Sequence, residues 1–299
     1  MLKIENATKY YGDFLAVDDL SFTVKPGEIF GLLGVNGAGK TTTFRMMMGL
    51  LDMNGGNITL DGKPIDYTVT DNIGFLTEDR SLLLKLTVKE QALYYGTLKG
   101  MTEDEILIKL KELLDRFGIP EYYDRKIKEL SKGNQQKIQF IMAIINEPKL
   151  VILDEPFSGL DPFNVEIFKQ EIVDLASKGS MIIFSSHRME HVELFCKKLV
   201  ILLKGRTVLE GELKQIKTDY RKKNIIVRGK VKKEELKKIK GVVSVSNIGD
   251  DIEVKIADES VVEDVFKYVS KCDNVTKFVV EEPSLNEIFV AKVGESYDE

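Results

Sequence analysis

Gly34-Val35-Asn36-Gly37-Ala38-Gly39-Lys40-Thr41-Thr42 follows the apolar run 30–33 and precedes a segment with helical spacing. This stretch decides the fold. It satisfies GxxxxGK[ST] in the strand, loop and helix context that gives the pattern its chemical meaning. Glycines let the loop curl until successive backbone N–H groups converge on phosphate oxygens, and the head of the following helix adds a positive end. The residues assigned to those phosphates are Gly34, Asn36, Gly37, Ala38, Gly39, Lys40, Thr41 and Thr42. Lys40 supplies a cation near the β and γ phosphates, and Thr41 offers a hydroxyl to Mg²⁺.

Outward from the loop, short β-branched runs at 22–24, 29–33, 57–60 and 73–76 alternate with turn signals such as Pro26-Gly27 and Asp61-Gly62. One helix is expected over 39–50. Between 87 and 117 the apolar residues recur at intervals of three and four, which predicts a helical block. The runs 150–153 and 181–184 are continuously apolar and each precedes a helical segment, as buried parallel strands in βα units do. The fold class is therefore α/β. Near 212–223 the chain turns polar and basic, which predicts two domains, 1–215 and 224–299. The second shows a βαββαβ order, expected to form a small α+β domain of ferredoxin-like type. Ser284 and Glu287, after Pro283, make a capping box that starts a final helix.

Composition narrows the function classes. A chain of 299 residues with 43% apolar and 30% charged residues is globular rather than disordered. Its formal charge of -5 is the wrong sign for a protein whose affinity comes from neutralising nucleic-acid phosphates, so no nucleic-acid partner is expected. Cys196 and Cys272 are too few for a disulfide framework, and a reducing cytoplasm is the natural setting. The first residues lack the apolar core of an export signal. No apolar stretch reaches the roughly 18 residues of a membrane span, so a membrane partner would be a separate chain.

Two carboxylates, Asp154 and Glu155, close the apolar run 150–153. That arrangement places Asp154 on Mg²⁺ and leaves Glu155 to polarise a water. The absence of an Asn-Lys-x-Asp guanine motif favours ATP over GTP. Between the loop and this pair lies Leu130-Ser131-Lys132-Gly133-Asn134-Gln135-Gln136. Here the chain resembles the ATP-binding cassette family, whose LSGGQ signature it follows with Lys132 and Asn134 as departures. Read without the resemblance, the same residues are an N-capped helix start.

The resemblance extends in order along the first 210 residues or so and implies a P-loop cassette with a helical subdomain. Tyr11, in Lys9-Tyr10-Tyr11-Gly12, matches the aromatic that stacks on adenine. Asp161, in Ser158-Gly159-Leu160-Asp161, matches the loop that links two active sites, and His187 matches the switch histidine at the γ phosphate. His191 is expected to be a surface residue. The resemblance implies Glu155, His187 and Lys40 as catalytic residues and Thr41, Asp154 and Glu78 at the metal. Glu78 stands where cassettes usually carry glutamine. Ser131 and Gly133 would serve the nucleotide of a neighbouring cassette.

Residues 283–289, Pro-Ser-Leu-Asn-Glu-Ile-Phe, together with the Lys132 signature, resemble the accessory-domain cassettes of sodium-extrusion and drug-resistance exporters. Between 214 and 240 there are 12 Lys or Arg against 3 Asp or Glu, either a solvated face or a surface that leans on anionic lipid. What the resemblance implies is an ATP- and Mg²⁺-dependent ATPase subunit that powers export. It would act as a homodimer or cassette heterodimer, seated peripherally on a separate permease at the cytoplasmic face of the membrane. The alternative is a non-transport cassette ATPase acting on ribosomes or DNA.

Overall fold

The computed structural model describes all residues except 80, 187, 221, 298 and 299, and all side chains of the described residues except those of 67 and 295–297. The chain divides into two units, Met1–Glu210 and Gly211–Glu299. The division comes earlier than the polar stretch at 212–223, because a short helix over Leu213–Asp219, which buries Leu213 and Ile216, already belongs to the second unit.

In the first unit, β1 (Leu2–Tyr11) and β2 (Phe14–Val24) form an antiparallel hairpin with Tyr11 opposite Phe14. Gly12 makes the tight turn with φ of 57°. The strand runs named from the sequence begin at 22, although the first residues already alternate apolar with polar, because Asn6 and Asp19 both adopt φ of 52°, the β1–β2 register shifts, and the alternation is not kept up. β3 (Ile29–Gly34) runs into α1 (Lys40–Met47). β4 (Gly55–Leu60) and β5 (Lys63–Pro64) complete a four-stranded sheet in the order β2-β1-β4-β5.

After α2 (Tyr67–Thr70) come β6 (Ile73–Leu76), α3 (Val88–Leu98), α4 (Glu103–Arg116) and α5 (Lys132–Ile144). The expected block 87–117 is two helices, since Gly100 turns the chain at φ of 78° and Thr102 starts a new capping box with Glu105. Then follow β7 (Leu150–Asp154), α6 (Pro162–Ser177), β8 (Met181–Ser185), α7 (Met189–Phe195), β9 (Lys198–Leu203) and β10 (Arg206–Glu212). The second sheet has the order β10-β9-β3-β8-β7-β6. β3 pairs in parallel with β8 and β9, and β7 with β6 and β8. One apolar cluster joins the two sheets: Leu2, Ile4, Leu20 and Phe22 meet Phe30, Leu32, Ile152 and Ile183, with Phe44 and Met47 of α1. The Phe22 and Phe30 rings stack at 4.7 Å.

The second unit contains α8 (Leu213–Asp219), β11 (Lys223–Lys230), α9 (Lys233–Lys237), β12 (Val242–Ile248), β13 (Asp251–Ile256), α10 (Val262–Val269), β14 (Asp273–Glu281) and α11 (Leu285–Tyr297). Its antiparallel sheet has the order β12-β13-β11-β14. Ile225, Val227, Val254 and Ile256 pack with Leu236, Val265 and Val269 of the helices. At the head of α11 the Ser284 N–H donates to Glu287 Oε2 at 3.0 Å and the Glu287 N–H donates to Ser284 Oγ at 3.2 Å, the reciprocal box read from the sequence.

α5 lies so close to β6 that a Cβ on Gly74 would stand 2.1 Å from the Ala143 carbonyl oxygen. Backbone cannot yield as a side chain can. Gly74→Ala is expected to destabilise the first unit by about 3 kcal/mol, read from chemical denaturation. Gly294→Ala, where a Cβ meets nothing within 4 Å, should change stability by no more than about 1 kcal/mol.

Candidate active site

A cleft of about 740 Å³ opens where the loop after β3 meets the end of β7. Tyr11, Phe14, Ala16, residues 34–42, Glu78, Asp154 and Glu155 line it. Four separate segments of chain thus converge on one space, each delivered by the end of a strand.

The loop is pinned at its ends and open at its middle. Gly34 leaves β3 at φ of 153°, and a Cβ there would stand 2.6 Å from the Leu202 carbonyl oxygen. Gly39 has φ of 108°, and its Cβ would stand 2.6 Å from the Ala16 carbonyl oxygen. Gly37, at φ of 79°, faces open space. Only glycine meets the two demands of left-handed backbone and close approach at once. The Lys40 Nζ donates to the Gly34 and Val35 carbonyl oxygens at 2.7 and 3.2 Å, so the ammonium lies along the loop. Burial pushes the Lys40 pKa below its ordinary value, against the opposing pull of Asp154, Glu155 and Glu78. A cation held in a partly dry site with carboxylates nearby is poised to take anionic phosphate oxygens.

At the ends of β7 and β8, Ser185 joins the two carboxylate residues. Its Oγ donates to Asp154 Oδ1 at 2.6 Å and accepts the Glu155 N–H at 3.2 Å. Ser185 is fully buried. Burial raises the Asp154 pKa, the Ser185 bond works the other way, the Glu78 charge adds to the rise and Lys40 opposes it. Glu155 adopts φ of 50°, an uncommon conformation for a residue with a Cβ, and is buried.

α5 anchors both acidic segments from behind. The Gln139 Nε2 donates to the Thr77 and Asp79 carbonyl oxygens, each at 3.2 Å, and so holds the turn that carries Glu78. The Gln136 Nε2 donates to the Pro156 carbonyl oxygen at 3.3 Å. Sequence reasoning missed Ser185, Gln136 and Gln139. The available signal was polar residues on the buried side of α5 and at the end of a core strand, positions where a polar group must be doing hydrogen-bond work.

Tyr11 stands at the cleft with its ring 44% exposed and the Lys9 Nζ 5.7 Å from the ring centroid, whereas Tyr10 does not line the cleft. Ser131, Gly133 and Asp161 are not among its lining residues. Ser131 caps α5, accepting the Asn134 N–H at 3.3 Å, and Asp161 caps α6, accepting the Asn164 N–H at 3.0 Å. Both are exposed at helix heads, facing away from their own chain's packing. His187 lies outside the described residues. His191 corrects an expectation: it is only 7% exposed, with its ring edge-on to Phe157 at 4.7 Å, because α7 turns that face onto an aromatic cluster with Phe184 and Phe195.

The donor set fits a hard divalent cation. Asp154 is a buried carboxylate whose charge is costly, and the Thr41 hydroxyl shares its cleft. Among the described residues no three His, Cys, Asp or Glu side chains gather as a self-sufficient metal site, so phosphate and water oxygens would complete the shell.

Residues 17–158 match the family described as ABC transporter, and residues 211–293 match the C-terminal domain of DrrA1-3-like ATP-binding proteins. The ABC transporter ATP-binding protein YhaQ of Bacillus subtilis (strain 168) is 46% identical over 298 residues, which is 100% of both chains. The chain belongs to the ATP-binding proteins of ABC transporters. The Nod factor export ATP-binding protein I of Burkholderia lata is 35% identical over 213 residues, 70% of each chain. A solved ATP-binding subunit of an ABC transporter superposes with a TM-score of 0.70 at 30% identity, covering 74% of this chain and 93% of that chain. The cassette is an ATPase subunit.

The raised Asp154 pKa makes a signed prediction. The folded state holds a proton there at pH values where the unfolded chain has lost it, so this group's contribution to stability is present below the unfolded value of 3.8 and lost as pH rises through the folded value. Asp154→Asn, which keeps an acceptor for Ser185, is expected to raise the denaturation midpoint of the nucleotide-free cassette at pH 7 and to give no such gain near pH 3.5. Equal gains at both pH values would assign the effect to something other than the buried charge.

Proposed function

We propose that this cassette hydrolyses ATP to power export through a separate membrane permease, working as one of a pair of cassettes at the cytoplasmic face of the membrane. The observation that carries the reading is the convergence of Tyr11, Lys40, Thr41, Glu78, Asp154 and Glu155 on one cleft from four separate chain segments. Export is supported by the export role in the name of the Burkholderia lata relative. Among the described residues no helix is long and apolar enough to cross a membrane, which is consistent with a permease on another chain.

Each residue has a distinct task in this reading. The Tyr11 ring stacks on adenine, the N–H groups of 34–42 and the Lys40 ammonium hold the phosphates, and Thr41 and Asp154 hold Mg²⁺ with Glu78 beside them. A divalent cation held by Thr41 and Asp154 would supply positive charge to offset that of the nucleotide phosphates. Glu155 accepts the proton of the water that attacks the γ phosphorus, with its backbone fixed by Ser185, and His187 contacts the γ phosphate. Ser131 and Gly133, with the positive end of α5, face the nucleotide of the neighbouring cassette, and Asp161 joins the two sites. An apolar groove of about 640 Å³, lined in part by Ile65, Phe75, Leu82 and Met142, shares Gln139 with the Glu78 turn, which offers the permease a physical link to the cleft.

Glu155→Gln keeps the shape of the site but cannot accept the proton. It is expected to retain ATP affinity, to lose at least about a hundredfold in turnover and to accumulate as an ATP-bound dimer on size exclusion. Turnover within about threefold of the parent would remove Glu155 from the role of base. Tyr11→Ala should weaken nucleotide binding by about 1–3 kcal/mol, while Tyr10→Ala should leave it nearly unchanged. Equal losses, measured by titration calorimetry, would place adenine elsewhere.

A further inference from the structure

β12 stands at an edge of the second unit's sheet, with β13 on one side and no strand on the other. Its sequence, Val-Val-Ser-Val-Ser-Asn-Ile, holds no charged residue and no proline. Edge strands ordinarily carry such residues, because an unpaired row of N–H and C=O groups will otherwise pair with another chain. The remaining sheet edges of this molecule follow that rule. β2 has Asp18 and Asp19, β10 has Arg206 and Glu210, and β14 has Asp273, Lys277 and Glu281. β5 is two residues ending in a proline, and β6 is four residues and largely buried. β12 is open instead, with Val243 60% and Ile248 53% exposed.

The pairing with β13 fixes which backbone groups are free. A two-residue turn, Gly249-Asp250, joins the strands, with Ile248 opposite Asp251. Bonded and non-bonded pairs alternate from there, so Asn247, opposite Ile252, and Val245, opposite Val254, point their N–H and C=O groups away from β13. The register shift lies beyond them, between Val242 and Ser244. Antiparallel pairing of two copies about Val245 sets Val245 against itself, Ser244 against Ser246 and Asn247 against Val243, with about four hydrogen bonds between the backbones. Carried outward, the same register sets Lys240 of each copy beside Asp250 of the other. Both are exposed, and neither has an ion-pair partner among the described residues. β14 shows the opposite design: paired on itself about Lys277, it would set lysine against lysine and Asp273 against Glu281.

We propose that β12 is the docking edge for a second copy of this chain, the two strands pairing antiparallel about Val245 so that two four-stranded sheets become one. The match is self-complementary along its length: uncharged side chains in the middle and one cation against one carboxylate at each end. It needs no nucleotide and stands apart from the reading of the first unit. So short a contact makes a weak dimer. For cassettes that act in pairs, such an edge would raise the effective concentration of one for the other.

The test uses the full chain without nucleotide, so its failure leaves the ATPase reading untouched. Sedimentation equilibrium from about 5 to 500 µM is expected to show monomer and dimer with Kd of about 100 µM or lower. Asn247→Pro removes an outward N–H and spares the β13 ladder; it should leave monomer throughout, with the thermal transition within about 3 °C of the parent. Lys240→Glu and Asp250→Lys should each weaken the dimer about tenfold, because two symmetry-related pairs turn from attraction to repulsion. Combined in one chain, the two substitutions should restore the parent Kd to within about threefold. A parent that stays monomeric over the whole range, assembly beyond the dimer, full pairing by Asn247→Pro, or charge substitutions that fail to rescue one another would each overturn the proposal.

Discussion

A parallel strand paired on both edges and covered on both faces has only its ends free, and that constraint organises the first unit. β3, β7 and β8 are buried almost throughout, so their side chains are committed to packing. The loops at their carboxyl ends are the places where backbone can curl, as at 34–39, or where carboxylates can stand, as at Asp154 and Glu155. The parallel register β3–β8–β7 brings those ends to one rim. The cleft is a consequence of that register.

The burial that builds the cleft also charges it. Lys40 and Asp154 are both displaced from their ordinary pKa values, and in both the largest cause is loss of water. Each would be eased by a ligand of opposite charge: phosphate oxygens for the lysine, a cation for the carboxylate. The Ser185 hydroxyl holds Asp154 and the Glu155 backbone in fixed relation meanwhile. Binding affinity and the instability of the empty site are thus two readings of the same desolvation.

The second unit is connected differently: its sheet is antiparallel, and α9 and α10 carry the chain over one strand each, from β11 past β13 to β12 and from β13 past β11 to β14. One face carries the apolar core of the unit, and Asn224 and Lys255 reach instead to Glu287 on α11. A partly buried polar layer of this kind helps fix how α11 lies on the sheet, because another placement would take the Glu287 carboxylate from its partners.

The local chemistry was legible in the sequence wherever it was carried by neighbours in the chain. The phosphate loop, the Asp154 and Glu155 pair at the end of an apolar run and the Ser284 and Glu287 box all depend on contacts within a few residues. Backbone geometry and side-chain reach then suffice to predict them. The β1–β2 hairpin escaped, because bulges at Asn6 and Asp19 interrupt the alternation that marks a strand. Ser185, Gln136 and Gln139 escaped for another reason: their partners stand 20 or more residues away, as Gln136 does from Pro156, and no spacing rule links them. His191 looked like a surface residue until packing turned it onto Phe157. Sequence alone determined which groups could meet a phosphate; tertiary structure decided which of them share a cleft, because only packing brings distant strand ends to one rim and removes the water that shifts their charges.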